Sequence, residues 1–188
     1  MKHFFNMVLV LFLMAMLTGC TVDSDTQGLV DDYKSPMLFN GHYSNSLIDN
    51  LGHGAEIPDY LLIFDDDFIV TMYGDTLTIN QSLIEMFVGY RDTIHTTKMK
   101  YYEKGYSADR STIIYGLDVP PMEWIYMPTG PEGEHIAIRT EFSSQSEAIY
   151  NSYSGTLDII LYSDRQYHDG ELYSHSSITY SLTARRVN

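Results

Sequence analysis

Cysteine is nearly absent from this chain, which has one cysteine, Cys20, among its 188 residues. A single cysteine cannot form an internal disulfide, and it excludes the paired-cysteine patterns of zinc fingers, redox CxxC motifs and iron–sulfur sites. Basic residues are also scarce, because 11 Lys and Arg stand against 25 Asp and Glu and give a net charge of −14. Such an acidic balance argues against a nucleic-acid partner, since phosphate binding is built on Lys and Arg. The length suits a single domain.

The motifs of several common enzyme classes are absent as well. The sequence contains no GxSxG, HExxH, GxxxxGK or GxGxxG pattern. We therefore predict a protein that is not an enzyme and that needs no cofactor or metal. His168, Glu171 and His175 form the densest group of possible metal ligands, and a hydrolase or metalloenzyme built on them is the alternative. The turn dipeptide Asp169-Gly170 lies within this group, so a polar hairpin loop already accounts for these residues.

An unbroken apolar run of eleven residues, Met7 to Leu17, lies near the N-terminus after Lys2. It is too short for a membrane-spanning helix, which needs about 20 residues, and it suits the apolar region of a secretory signal. Leu17-Thr18-Gly19-Cys20 ends this segment. These features resemble the signal peptide and lipobox of bacterial lipoproteins, in which small residues precede a cysteine that is lipidated and becomes the new N-terminus.

The lipoprotein resemblance implies a signal peptide over residues 1–19 and a lipid on Cys20 that anchors the protein to a membrane. It also implies a location, because Thr21 follows the cysteine where an inner-membrane retention signal of the enteric type has Asp. We therefore expect an outer-membrane lipoprotein that faces the periplasm. A generic signal peptide with a coincidental cysteine is the alternative.

Residues 20–36 have the composition of a flexible acidic tether, with four aspartates, a glycine and a closing proline but little to bury. Residues 37–188 are expected to form a single β-rich domain. Cleavage before Cys20 removes Lys2 and no acid, so the mature chain has ten bases, 25 acids and a net charge of −15.

Short runs rich in β-branched and aromatic residues dominate the predicted domain, and they favour β-strands. Asp65 to Asp67 separates two of these runs and predicts a hairpin turn. The strand candidates are residues 39–44, 60–64, 68–73, 93–103, 111–119, 123–127, 135–142, 156–163 and 172–185. Strands of this number and spacing predict a mainly β fold, either an antiparallel up-and-down barrel or a β-sandwich.

Two capping-box patterns predict one or two short helices beside the strands. Ser82-x-x-Glu85 precedes apolar residues at helical spacing, and Ser144-x-x-Glu147 precedes Ala148, Ile149 and Tyr150. In such a box the serine side chain accepts a hydrogen bond from the backbone of the first turn. We expect a short helix at each pattern.

A further resemblance concerns the predicted first and last strands. Asn40-Gly41-His42-Tyr43 lies in the first, and Arg185 and Arg186 close the last. This arrangement is similar in outline to the lipocalins, whose first strand typically carries Gly-x-Trp and whose late arginine packs near that tryptophan. Here Tyr43 stands in place of the tryptophan. The resemblance implies a lipocalin-like barrel and carries no function by itself.

Tyrosine is the compositional outlier, with 16 residues in the chain. Most are explained as cross-strand residues of a β protein, but several fall near predicted strand ends or loops, where a binding surface is the other interpretation. The candidate surface for a partner or ligand consists of Tyr101, Tyr102, Tyr106, Trp124, Tyr150, Tyr153, Tyr167 and Tyr173.

Composition and anchor together predict a protein that acts by binding. A protein partner in the bacterial envelope is the favoured interpretation, as for an assembly factor or for an inhibitor or immunity protein, and the negative charge favours a basic partner. The alternative is a small apolar ligand held inside the barrel in a cavity of roughly a few hundred Å³.

Overall fold

The computed structural model describes residues 35–45, 64–93, 95–128, 132–175 and 178–187. Eleven strands lie in these residues: β1 (Met37–Ser44), β2 (Asp65–Tyr73), β3 (Thr76–Ile79), β4 (Thr97–Tyr106), β5 (Thr112–Asp118), β6 (Met122–Tyr126), β7 (Ile136–Phe142), β8 (Glu147–Asn151), β9 (Thr156–His168), β10 (Glu171–His175) and β11 (Thr179–Arg186). A π-helical turn, Ile84–Val88, lies between β3 and β4. The predicted signal peptide, Cys20, the tether to residue 34 and the strand candidate at 60–63 lie outside the described residues.

Eight of these strands form a closed antiparallel barrel. Strands β1, β2, β3, β4, β5, β8, β9 and β11 pair in that order, and β11 pairs with β1 as well as with β9, which closes the ring. Neighbours in the barrel follow one another along the chain, with β6, β7 and β10 as insertions. The predicted up-and-down, lipocalin-like barrel is therefore confirmed, and the β-sandwich is not formed.

The interior of the barrel is built by the alternation of side chains along each strand. On β9, for example, Leu157, Ile159 and Leu161 are fully buried while the residues between them are partly exposed. Each such side chain stabilises the fold by roughly 1.5–3 kcal/mol relative to an exposed position. The largest fully buried side chains are Tyr115, Phe39, Phe68, Met72, Leu77, Ile79, Met86, Leu117, Leu157, Ile159, Leu161 and Val70.

The late arginine of the lipocalin-like pattern contacts a different aromatic residue from the one expected. Arg186 pairs in register with Phe39, and its guanidinium donates a hydrogen bond to the Tyr150 hydroxyl at 3.0 Å. The rings of Phe39 and Tyr150 meet edge to face at 5.6 Å. Tyr43 instead contacts Phe87, 5.3 Å away in the π-helical turn. The aromatic residue that binds the late arginine is thus Tyr150, and Tyr43, at the position of the lipocalin tryptophan, lies against the π-helical turn.

A second, smaller sheet extends from the barrel. Its order is β6-β7-β9-β10, and it uses the C-terminal half of β9, whose N-terminal half lies in the barrel. We call these four segments the extension sheet: β6, β7, residues 163–168 of β9, and β10. The turn Asp169-Gly170 joins β9 to β10 with positive φ angles of 48° and 85°, as predicted from that dipeptide.

The first capping box is confirmed in part, and the second is wrong. The Ser82 hydroxyl accepts a hydrogen bond from the Ile84 N–H at 3.1 Å, but only a single π-helical turn follows it. Glu147 begins strand β8 instead of a helix. In β8 the side chains of Ala148 and Tyr150 are buried with Ile149 between them, so the segment follows the period of a strand.

Two other strand predictions are corrected. Asp65 to Asp67 does not form a turn, because these residues begin β2 and pair with β1 residues His42 to Ser44. The predicted strand 172–185 is two strands, β10 and β11, which pair with different halves of β9.

Candidate functional site

The predicted aromatic surface is divided among three places in the fold. Tyr101 and Tyr150 are buried inside the barrel, so neither is available to a partner at the surface. Tyr102 and Tyr106 lie on the outside of β4, and Tyr153, which is 83% exposed, lies in the turn after β8. The remaining three, Trp124, Tyr167 and Tyr173, lie in the extension sheet, where the pairing register places Trp124 on the same face as Ile138 and Tyr167 on the opposite face.

The exposed tyrosines on β4 have structural neighbours. Tyr102 pairs with Gly116 on β5 and covers it so closely that an added Cβ there would lie 2.6 Å from the Tyr102 hydroxyl oxygen. The guanidinium of Arg110 lies over the ring of Tyr106, 5.8 Å from its centroid. Covering a strand glycine with an aromatic ring stabilises a sheet. These contacts give both tyrosines a structural role on the barrel wall.

The extension sheet has one face against the barrel and one face in solvent. On the inner face Met122, Ile138 and Thr140 are buried, and the ring of Tyr126 meets that of Tyr90 at 6.3 Å. The opposite face carries Glu123, Ile125, Ala137, Arg139, Glu141 and Tyr167, which follow from the pairing register of β6, β7 and β9.

A groove of about 580 Å³ lies along the solvent face of the extension sheet. Its apolar part includes Ile125, which is 43% exposed, and Ala137. Arg139 on β7 lies between Glu123 on β6 and Tyr167 on β9, because it pairs in register with both. The groove is lined by Glu123, Trp124, Ile125, Ala137, Ile138, Arg139, Glu141, Tyr167 and Gly170. A groove of this volume is large enough for side chains of a partner or for a small molecule.

The charged groups of this face form one network of ion pairs. Arg139 binds Glu123 at 2.7 Å and Glu141 at 3.2 Å. Arg165 binds the second oxygen of Glu141 at 3.3 Å and the carboxylate of Asp164 at 3.3 Å. Three carboxylates therefore form ion pairs with two arginines, and the network has a net negative charge. Partly exposed pairs of this kind order side chains more than they stabilise the fold.

The residues suggested as metal ligands do not form a metal site. The ring of His168 stacks on Tyr173 with centroids 3.8 Å apart, and His175 pairs with Arg165 across the strands. Within residues 35–45, 64–93, 95–128, 132–175 and 178–187, no three His, Cys, Asp or Glu side chains are grouped so that they could hold a metal ion. The metalloenzyme interpretation therefore has no ligand group in this part of the chain.

His42 lies between two carboxylates on the outside of β1 and β2. Its Nδ1 is 3.0 Å from Asp67 Oδ1 and its Nε2 is 3.1 Å from Asp65 Oδ1. Both ring nitrogens can donate to these oxygens only when the imidazole is protonated. The hydrogen bond to Asp67 is the largest of the causes that raise the pKa of His42 above its ordinary value of 6.5.

We expect His42→Gln to change how the stability of the barrel depends on pH. Because the pKa of His42 is raised by folding, its contribution is full below about pH 6.5 and is lost as the pH rises through the folded pKa. The stability difference between the wild type and His42→Gln is therefore largest at about pH 5–6, below the ordinary pKa of imidazole, and it declines as the pH rises through the folded pKa of His42. Urea unfolding of both proteins across this range measures it. A difference that grows with pH contradicts the prediction.

Comparisons with known proteins give no family for this chain: no family model, no curated protein and no solved structure matches it. In the part of the chain that the structure describes, none of the helical segments is long and apolar enough to cross a membrane. The groove of the extension sheet is therefore the feature on which a function can be proposed.

Sequence reasoning identified Trp124 and Tyr167 but missed Ile125, Arg139 and Glu141. The three missed residues come from two strands, and only the register of β6 against β7 places Ile125 opposite Ala137 and Arg139 opposite Glu123. One signal was present in the sequence: Trp-Ile-Tyr at 124–126 is apolar at every position, so one face of β6 carries apolar side chains toward solvent.

Proposed function

We propose that this protein is a lipid-anchored binding protein of the bacterial envelope, attached through Cys20 to the periplasmic side of the outer membrane. It holds a protein partner on the extension sheet, as an assembly factor or as an inhibitor or immunity protein. The observation that supports this most is the groove of about 580 Å³, in which apolar side chains and an acidic ion-pair network lie side by side. Apolar area bordered by charge is typical of protein-binding surfaces.

The charge of the extension sheet favours a basic partner. The extension sheet and the two connections within it, residues 122–142 and 163–175, contain seven acids and two arginines. Both arginines are already bound to carboxylates of the same sheet. The net charge of −15 on the mature chain extends this field beyond the groove. Opposite charge of this kind accelerates association and selects partners.

A small apolar ligand is the second candidate function. The volume of the groove falls in the range of roughly 300–1,000 Å³ that small-molecule pockets occupy. The barrel interior is less suited, because large side chains such as Tyr115, Phe39 and Phe68 already fill it. The acidic network at the groove favours the protein partner.

Site-specific photo-crosslinking in cells tests the proposed function. A photoreactive amino acid in place of Ala137 in the groove is expected to trap one discrete protein, and the same replacement of the exposed Ser181 on the barrel wall is not. Adding Glu123→Lys is expected to lower the yield at position 137 about tenfold, because it reverses a charge that attracts a basic partner. The matched charge reversal Asp158→Lys on the barrel leaves the yield unchanged.

Equal crosslinking at positions 137 and 181, or none at either, overturns the protein-binding function. A small molecule that co-purifies with the chain and reacts at position 137 favours the second candidate instead.

A further inference from the structure

Strand β6 is one of the two edges of the extension sheet. Its five residues pair with β7 in continuous register, and no other strand pairs with it among the described residues. The opposite edge, β10, is interrupted by a bulge between Leu172 and Ser174. Natural proteins protect edge strands with bulges, lysines or prolines. Met122 to Tyr126 contains none of these.

Hydrogen bonds on β7 show which backbone groups of β6 face outward. The Ala137 N–H donates to Asp169 Oδ1 at 2.9 Å, and the Ala137 C=O accepts from the Asp169 N–H at 2.8 Å. Both groups of Ala137 thus face β9. In an antiparallel pair the opposite residue then faces away from its partner strand. Ile125 lies opposite Ala137, so its N–H and C=O point to the free edge, and by alternation so do those of Glu123.

At the C-terminal end of this edge, a side chain already accepts a hydrogen bond from the outward-facing backbone. Met127 follows the same alternation as Ile125, and its N–H donates to the Tyr90 hydroxyl at 3.5 Å. Glu123 and Ile125 have no such neighbour in the residues that the structure describes, so two N–H and two C=O groups remain for another strand. These are the main-chain groups that an added strand uses.

The side chains of the same two residues line the groove. Glu123 and Ile125 lie on the solvent face, two residues apart, with an acidic and an apolar character respectively. An antiparallel strand beside β6 places two of its own side chains against them, also two residues apart. Complementarity then requires an apolar residue opposite Ile125 and, two positions later, a Lys or Arg opposite Glu123.

We propose that the β6 edge binds an extended basic segment of the protein partner, which adds to the extension sheet as an antiparallel fifth strand. The segment has the pattern apolar-x-basic. This inference rests on the proposed function, because it names the partner chemistry of the same groove. Main-chain hydrogen bonds at Glu123 and Ile125 supply the attachment, and the acidic network selects the basic sequence.

A synthetic peptide tests the edge directly. The probe is a twelve-residue peptide, Ser-Val-Ser-Lys repeated, which places valine and lysine alternately on one face of a strand. Three control peptides accompany it. One has glutamate in place of lysine, the second has N-methyl groups on the valine and lysine nitrogens, and the third has N-methyl groups on the serine nitrogens. Fluorescence anisotropy with the full chain, purified in detergent, is expected to show binding of the probe and at least a tenfold weaker affinity for the glutamate peptide.

The variant Ile125→Pro distinguishes the contribution of the backbone N–H at the β6 edge from that of the Ile125 side chain. Proline removes an N–H that points away from β7, so the β6–β7 ladder is kept while the free edge loses a donor. We expect Ile125→Pro to weaken probe binding at least tenfold, and Ile125→Ala, which keeps the N–H, to weaken it less. Circular dichroism checks that both variants are folded.

Hydrogen exchange on the wild type gives a measurement that needs no variant. The probe is expected to slow exchange of the Glu123 and Ile125 amides and to leave exchange of the Ser181 amide, on the barrel wall, unchanged. The added strand is contradicted if the probe does not bind, or if it leaves amide exchange unchanged. It is also contradicted if Ile125→Pro binds the probe, and the wild type binds both methylated peptides, as tightly as the wild type binds the probe. Crosslinking at Ala137 reports separately whether the protein still holds a partner, so the two failures are distinguishable.

Discussion

Gly41→Ala is expected to destabilise the barrel by about 3 kcal/mol, at the upper end of the usual cost of overpacking a core. Gly41 pairs with Phe68 on β2 and with Ala184 on β11, at the seam where the barrel closes. An added Cβ would lie 2.6 Å from Phe68 Cε1 and 2.7 Å from the Thr183 carbonyl oxygen. The ring of Phe68 is fully buried and the carbonyl belongs to the backbone, so neither moves cheaply.

A double-mutant cycle identifies the cause of this loss. Phe68→Ala alone is expected to cost roughly 3–5 kcal/mol because it leaves a cavity. The two changes together are expected to cost less than their sum by about 1 kcal/mol or more, because the alanine methyl group then enters the space of the lost ring. Chemical denaturation measures all four proteins. Gly105→Ala on β4 is the matched control, because an added Cβ there meets no atom within 4 Å. Strict additivity of Gly41→Ala and Phe68→Ala contradicts the proposed clash.

The barrel could be predicted from the sequence because its signals are local. Most strands repeat an apolar residue at every second position, and this pattern in segments such as 156–163 needs no knowledge of the neighbours. Chain order then agrees with barrel order, since antiparallel neighbours are usually consecutive. Strand β3 was missed because Thr76 to Ile79 is only four residues long. Strand β8 was missed because Ser144-x-x-Glu147 imitates a helix start, whereas pairing with β5 and β9 decides the outcome.

The solvent face of the extension sheet could be predicted only in part because its residues are distant in sequence. Arg139 binds Glu123 across 16 positions, and Tyr167 lies near Glu141 across 26. Such neighbours depend on strand register, which a single sequence does not show. Tyr101 and Tyr102 illustrate the same limit: they are adjacent, yet one points into the barrel and the other into solvent. The alternation rule requires that they differ but does not say which is inside.

The barrel and the extension sheet carry different features of the chain. Apolar side chains are buried inside the barrel, and the extension sheet is continuous with the barrel through the shared strand β9. The extension sheet carries the groove, the ion-pair network and an edge strand with outward-facing backbone groups. A binding surface on a regular sheet is held more precisely than one on loops. In the proposed function, the regular sheet lowers the ordering cost of binding an extended segment.

Cys20→Ala is expected to abolish attachment of a lipid. The thiol of Cys20 is the only one in the chain, and alanine has no nucleophile at this position. Each buried methylene of an acyl chain contributes about 0.8 kcal/mol to membrane binding. The acidic mature chain has no polybasic segment to replace that contribution on an anionic surface. We therefore expect the wild type to incorporate a labelled fatty acid and the variant to incorporate none.

Two further measurements complete this test: the intact mass of the wild type, and lipid labelling of a variant whose cysteine is at another position. The wild-type mass is expected to correspond to residues 20–188 plus the lipid, because cleavage precedes the modified cysteine. The control combines Cys20→Ala with Ser35→Cys, which restores one thiol to the chain 15 positions away, and it is expected to remain unlabelled. This outcome distinguishes the two interpretations of the N-terminus, because a generic signal peptide predicts no label on the wild type and a cleavage site that does not depend on Cys20. An unlabelled wild type would remove the anchor from the proposed function and leave the extension sheet to act on a protein free in its compartment.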